Sequence, residues 1–235
     1  MKKLIVLLSI QLLLTVIVFE SAGQTQAKVT YTYHSYGGYK RDMTLLIKDG
    51  ISQFIFHKED TTIQGVNTAE FFHYFRHYET YYDLLSKNVT EQRLMKDKEM
   101  MLIAQWNNNL NWKMTGESKK IMGYTVQKAA APAYEMAEKG SDLDYKEAVA
   151  WFTTEIPFQA GPERYFGLPG LILELSFTGR SIFYEVKEID IKADVPTIKI
   201  PTEGVEVSSK EIVRPFIIDK KWLKKKKKEL ASASN

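Results

Sequence analysis

Two sets of apolar runs, each hinged on a short turn dipeptide, constrain this chain more than any other feature. Leu171 to Phe177 and Ser181 to Lys187 flank Thr178-Gly179. A two-residue connection there sets Phe177 opposite Arg180, Leu175 opposite Ile182, Leu173 opposite Tyr184 and Leu171 opposite Val186. The last three pairs are apolar on one face, and a slip of one residue would destroy the match. Met43 to Lys48 and Ile51 to His57 flank Asp49-Gly50. That dipeptide suits a type I′ turn, which needs positive φ at both positions. The resulting register puts Leu45 against Phe54 and Met43 against Phe56.

Shorter runs fill the rest. Val29 to Tyr33 is β-branched and aromatic, and Gly37-Gly38 offers a turn. Tyr82 to Leu85, Arg93 to Met95, Met100 to Ala104, Asn111 to Met114 and Ile121 to Gln127 are candidate strands. Lys87-Asn88, Asp97, Asn107 to Asn109 and Gly116 punctuate them. A spacing of about 8–12 residues predicts an antiparallel meander rather than βαβ units. Glu91 to Ala104 reads equally as one helix on propensity. Ala129 to Ala137 and Tyr145 to Ile156 bracket a polar loop. From Asn67 to Tyr78 the period changes: Asn67 with Glu70 resembles a capping box, and Phe71, Phe75 and Tyr78 form a helical stripe. The same aromatics also suit a buried strand. The expected fold is mainly β (α+β), a curved antiparallel sheet or half-barrel with one or two short helices. The Asn67 to Tyr78 helix is expected on its concave face, with Phe72 and Tyr74 off the stripe and lining a ligand groove.

The N-terminus reads as an address. Met1-Lys2-Lys3 precedes an apolar run from Leu4 to Phe19, broken by Ser9, Gln11 and Thr15, and then Ser21 and Gly23 before Gln24. This is the pattern of a cleavable secretory signal peptide, 1–23. The run is shorter than the roughly 20 apolar residues of a membrane span. No later stretch is apolar and long enough to be one. The chain has no cysteine, which excludes a lipoprotein anchor, disulfides and thiolate metal sites. The expected location is the periplasm or beyond. The remainder divides into one domain, 24–213, and a basic tail, 214–235. The whole chain carries +3. The tail, with eight basic and two acidic side chains, accounts for +6, and the domain carries −4. That balance argues against a nucleic-acid surface. Lys224 to Lys228 would attract an anionic envelope surface if the tail is more than a frayed, solvated end.

Ahead of the second hairpin stands Gly167-Leu168-Pro169-Gly170-Leu171-Ile172, preceded by Trp151 to Pro157 and by Gly161-Pro162. Pro at i+1 and Gly at i+2 fit a type II turn at Pro169-Gly170. Here the chain resembles the GLPGLI family, secreted proteins of one group of Gram-negative bacteria named for this hexapeptide. The stretch from Ala150 to Leu175 looks like that family's core signature, as does Lys119 to Ala129 upstream. Val126 stands where many members have Cys. The resemblance implies export and a β-rich fold, with a looser likeness to lipoprotein-carrier half-barrels, and carries no activity.

Chemistry is sparse. His73 and His77 share a face at i, i+4 on a helix, but two imidazoles without a third ligand make no metal site. Glu155, Glu163 and Glu174 surround the hexapeptide and read as ion-paired or solvated carboxylates rather than an acid/base pair. No nucleophile elbow or phosphate loop occurs. No catalytic residue, cofactor or metal is therefore expected, and Gly161, Pro162 and the hexapeptide read as architecture. Two classes of function stand. One is a non-enzymatic envelope module that binds an apolar or lipid-like ligand or a partner protein. The other is an envelope hydrolase. Mass spectrometry of the native protein should find an N-terminus near Gln24; a retained segment 1–19 would refute cleavage.

Overall fold

Along strand β1 (Gln26–His34), Ala27, Val29 and Tyr31 are fully buried while Lys28 is exposed. Such period-two burial is met only by a sheet with one face against a core. The computed structural model describes residues 25–38, 40–57, 75–95, 100–107, 110–133, 147–213 and 220–233. Ten further long strands follow: β2 (Lys40–Lys48), β3 (Ile51–His57), β4 (Phe75–Asp83), β5 (Asn88–Met95), β6 (Met101–Asn107), β7 (Lys113–Ile121), β8 (Tyr124–Pro132), β9 (Glu147–Thr153), β10 (Leu171–Phe177) and β11 (Phe183–Asp190). With the short β12 (Val205–Glu206) they form one curved sheet in the order β12-β6-β5-β4-β3-β2-β1-β11-β10-β9-β8-β7. Two meanders, β1 to β6 and β7 to β11, are joined where β1 pairs β11; every pairing is antiparallel except β12 with β6. Two helices are described, α1 (Ser209–Val213) and α2 (Lys220–Ala233).

The Asp49-Gly50 hairpin forms as expected. Both residues have positive φ, 51° and 80°, and Leu45 faces Phe54. The second hairpin departs from its two-residue expectation. Leu175 faces Tyr184 and Ser176 faces Phe183, so the loop runs from Thr178 to Ile182 and the register moves by two. A shift of two keeps every side chain on its expected face. The expected strand from Ile121 to Gln127 is cut by a turn at Met122-Gly123, both with positive φ. Residues 91–95 and 101–104 are strand, which overturns the single-helix reading of that region. Phe75 to Tyr78 open β4, so they are not helical; Tyr78, Thr80 and Tyr82 share one face of a strand instead. The rest of that expected helix lies outside the described residues. Part of the tail, Lys220–Ala233, is helix rather than a frayed end.

Both sheet faces are covered by the chain itself. Residues 154–170 fold over the inner face, where Ile156, Phe158, Ala160, Tyr165 and Leu168 join the core of Val29, Tyr31, Leu45, Phe54, Phe152 and Leu173. Tyr31 donates its hydroxyl to the Ile172 carbonyl at the start of β10, at 2.6 Å, and Trp112 ties the loop itself by donating to the Phe166 carbonyl at 2.9 Å. Residues 191–204 cross the outer face, burying Val195 and Ile198 against Leu46, Ile51 and Tyr81. The strap then pairs with the β6 edge as β12, and α1 sets Ile212 against Leu102 and Ala104. Pairing and covering that edge removes a template for aggregation.

The hexapeptide is a corner of a kind the sequence does not reveal. Gly170 lacks positive φ, and its N–H donates to the Leu168 carbonyl at 2.7 Å, closing a three-residue turn centred on Pro169. The expected type II turn is absent. Gly170 is required because a Cβ would lie 1.9 Å from the Thr153 carbonyl oxygen, whereas Gly167, at φ 85°, has nothing within 4 Å of its own. Gly161 is likewise packed, with Tyr165 O at 2.5 Å and Ile172 Cδ1 at 2.7 Å from a Cβ there. Gly170→Ala should therefore destabilise by about 3 kcal/mol, the upper end of overpacking. Gly167→Ala should cost about 1–2 kcal/mol, the left-handed penalty alone. Pro169→Ala should cost less than about 1 kcal/mol. Urea unfolding of the three variants checks the order; equal losses at 167 and 170 would contradict the close approach.

Candidate functional site

Loop 154–170 divides the inner face into two ends of opposite chemistry. At the His34/Lys40 end, charged and aromatic side chains are interleaved. Arg41 on β2 lies over the Phe56 ring of β3 at 4.3 Å, Phe56 stacks on Tyr78 of β4 at 4.8 Å, and Arg93 of β5 lies over Tyr78 at 4.9 Å. Glu91, fully buried on β5, takes a hydrogen bond from Arg93 on one oxygen. Its other oxygen takes one from Arg164 of the loop at 2.9 Å. Glu163, beside Arg164, sits at φ 52° and accepts the hydroxyls of Tyr78, at 3.1 Å, and of Tyr184 from β11. Loop and sheet are thus tied by one ion pair and by one carboxylate held between two tyrosines.

These groups are engaged with one another. Burial alone would raise the Glu91 pKa, but the guanidinium groups of Arg164 and Arg93 outweigh it and hold the carboxyl below its ordinary range. Burial would lower the Arg164 pKa, and Glu91 and Glu163 reverse that and raise it. Burial, then the Glu163 charge, push Tyr78 and Tyr184 well above the ordinary phenol value. Both tyrosines are therefore neutral donors at neutral pH. A carboxylate whose oxygens are taken by two guanidinium groups is poorly placed to move a proton for a substrate.

At the opposite end lies a pocket of about 290 Å³. Ile47, Ile51, Tyr82, Leu84, Phe158 and Ala160 supply apolar walls, and Thr25, Asp49, Ser52 and Gln159 supply polar atoms. One wall is the Asp49-Gly50 turn, pinned by Asp49 N–H to the Thr25 carbonyl at 2.8 Å and by Leu84 N–H to the Gly50 carbonyl at 3.0 Å. Leu84 is partly exposed at the mouth and its neighbour Leu85 is 95% exposed.

The expected site residues scatter. Gly161, Pro162, Gly167, Leu168, Pro169, Gly170, Leu171 and Ile172 are packed or turn residues of the loop and of β10, and Leu168, Leu171 and Ile172 are fully buried. Phe72, Tyr74 and His73 lie outside the described residues. The three carboxylates do not share partners: Glu155 accepts the Thr125 N–H at 2.8 Å, Glu174 pairs with Lys119 at 2.6 Å, and Glu163 takes the tyrosine hydroxyls. Among the described residues no group of three metal-ligating side chains occurs. Glu91, Arg93, Arg164 and the pocket were missed. Their one signal is that Val89, Glu91 and Arg93 alternate, which sets two charges on the face that Val89 marks as inward.

A family model described as "Protein of unknown function (Porph_ging)" matches residues 134–174, which contain the whole inner loop and the hexapeptide. No curated protein sequence matches the chain. Among solved structures, PNGF-II is similar in two crystal forms, with TM-scores of 0.55 and 0.54 and identities of 14% and 15%. The alignments cover 80% and 79% of this chain and 32% of PNGF-II, so this chain spans about one third of that protein's length. An uncharacterized conserved protein from Thermus thermophilus aligns at TM-score 0.42 and 9% identity, covering 80% of this chain and 93% of its own. The LolA superfamily protein NE2245 from Nitrosomonas europaea aligns at TM-score 0.25 and 7% identity, covering 74% and 89%. The likeness to PNGF-II is one of fold.

Replacing Glu91 by Gln removes the carboxylate that two buried guanidinium groups share, so E91Q should lose about 3–5 kcal/mol. Because the folded-state pKa of Glu91 lies below its unfolded value, its contribution is fully present above about 4.3. It is lost as pH falls through the lower folded value. Wild-type stability should drop as pH falls below about 4.3, and E91Q should show a shallower fall. Urea midpoints across that range check both; parallel curves would show that Glu91 titrates alike in the two states.

Proposed function

We propose that this chain is an exported cell-envelope binding module whose ligand inserts an apolar group into the pocket between the Asp49-Gly50 turn and residues 157–160. The observation that carries this reading is the lining: seven apolar residues, Pro157 among them, meet a single carboxylate, Asp49. At about 290 Å³ the space is at the small end of ligand pockets. It suits one large apolar side chain of a partner protein or a short stretch of acyl chain, and the exposed Leu84 and Leu85 extend the apolar contact outside it. Export rests on the signal-like N-terminus. Membership of the GLPGLI family is supported by the complete hexapeptide lying within the stretch matched by the family model. No described helix is long and apolar enough to cross a membrane. α2 exposes Lys221, Lys224, Lys225 and Lys228, while Trp222 is held to the body by its N–H to Glu211 at 3.0 Å. A fixed basic face of that kind favours contact with an anionic envelope surface.

The test is a thermal-shift and co-purification screen of the cleaved chain with fatty acids and apolar peptides. A ligand at a hundredfold excess over its dissociation constant should add about 2.7 kcal/mol of stability. Leu84→Asp should abolish the shift and leave the unliganded melting temperature within a few degrees of wild type. No retained or stabilising apolar compound, with turnover of a glycan or peptide abolished by Glu155→Gln, would favour the hydrolase instead.

A further inference from the structure

Along β2 the inward face reads Arg41, Met43, Leu45, Ile47, and all four are buried. Arg41 takes the place in the alternation where an apolar side chain would serve the fold. It is 9% exposed, and its Nη1 has no hydrogen-bond partner among the described residues. The other charges of this end are engaged elsewhere: Glu91 with Arg93 and Arg164, Glu163 with Tyr78, Tyr184 and Arg164. Asp42 faces outward, where it meets Lys187 at 2.5 Å and Thr32 at 3.3 Å. Three arginines thus meet two glutamates, and among the described residues the uncompensated cation of this cluster is Arg41. Its Phe56 contact offsets only part of the desolvation of a guanidinium. An apolar residue there would stabilise the sheet more, so the arginine points to a partner beyond the described residues.

We propose that Arg41 is the anchor of a second binding site, for a single oxyanion of the carboxylate or phosphate class. Arg41 lies at the rim of the face: it is the second residue of β2, one place in from the exposed Lys40. A guanidinium offers paired N–H donors to two oxygens of such an anion, and the Phe56 face holds it in one orientation. The site lies about six residues, or roughly 20 Å, along β2 from the apolar pocket, and it does not depend on the reading of that pocket.

The experiment titrates the full chain with inorganic phosphate, acetate and octanoate in low-salt, anion-poor buffer, for wild type, Arg41→Met and, as an exposed control, Lys40→Gln. Wild type should show saturable stabilisation by at least one probe, unchanged in Lys40→Gln and weakened about tenfold or more in Arg41→Met. Without added anion, Arg41→Met should be as stable as wild type or more so, because a buried unpaired charge has been replaced by an apolar chain of similar volume. Octanoate binding far more tightly than acetate would assign the oxyanion to an acyl ligand; phosphate or acetate binding as well as octanoate would assign it to a free anion. Should Arg41→Met fail to fold, Arg41 is structural and the proposal falls. A wild-type titration followed on isotope-labelled arginine decides independently: no saturable shift of the Arg41 guanidinium, or equal weakening in Lys40→Gln, overturns it.

Discussion

A single curved layer of strands has to bury its inner face against something, and here no helix among the described residues spans it. The cover is loop 154–170, and the whole architecture follows from how closely that loop can approach the sheet. The limiting contact is Gly170 beneath the Thr153 carbonyl, where a side chain of any size would collide with backbone. Leaving that contact, the chain enters β10 through Leu171, Ile172 and Leu173, all three fully buried. Consecutive burial is possible because the β9–β10 register slips between Ile172 and Glu174, so one extra residue is absorbed as a bulge. All three thereby join the same core as the loop residues, and the strand reads as a continuous hydrophobic run.

The loop is seated by electrostatics as well as by packing. Irregular backbone laid on an apolar sheet has many alternative positions of similar contact area. Arg164 on Glu91, and Glu163 between Tyr78 and Tyr184, select one of them, because any displacement leaves a buried charge without its partner. Glu163 adopts positive φ to do this, a conformation that a non-glycine residue holds only when its surroundings insist. Such buried pairs add little net stability against apolar replacements and lose several kcal/mol when halved.

What the sequence revealed divides along the same line. Local signals held: Asp49-Gly50 set a hairpin in its expected register, and the meander followed from the spacing of strand-like runs. Where a local pattern was ambiguous, the wrong period competed. Phe71, Phe75 and Tyr78 match a helix, yet Tyr78, Thr80 and Tyr82 match a strand, and pairing with β3 and β5 decided it. Thr178-Gly179 marked a turn but not its length, so the register moved by two while the faces stayed correct. Nothing local distinguishes a Pro-Gly type II corner from a glycine needed for close approach; Thr153 is adjacent only in three dimensions. The pocket was illegible for the same reason, since its walls come from β2, β3, the end of β4 and the loop.

The two ends of the inner face are kept apart because the middle is closed. Between Ile47, at the pocket, and Arg41, Met43 and Leu45 are buried at 2% and 0% exposure beneath the core. A ligand with an apolar end and an acidic end therefore has no channel along the face. Yet the loop touches both ends, with Phe158 and Ala160 walling the pocket and Glu163 and Arg164 seated in the charged cluster. Close packing between those points, through Tyr165 and Leu168, makes the loop stiff rather than deformable. Movement of residues 157–160 to admit a ligand would have to be absorbed before Gly161, whose own position is fixed by Tyr165 and Ile172. The hexapeptide corner and the Gly161 contact thus act as the two fixed ends of a short wall, and the pocket takes its shape from the four residues before the first of them.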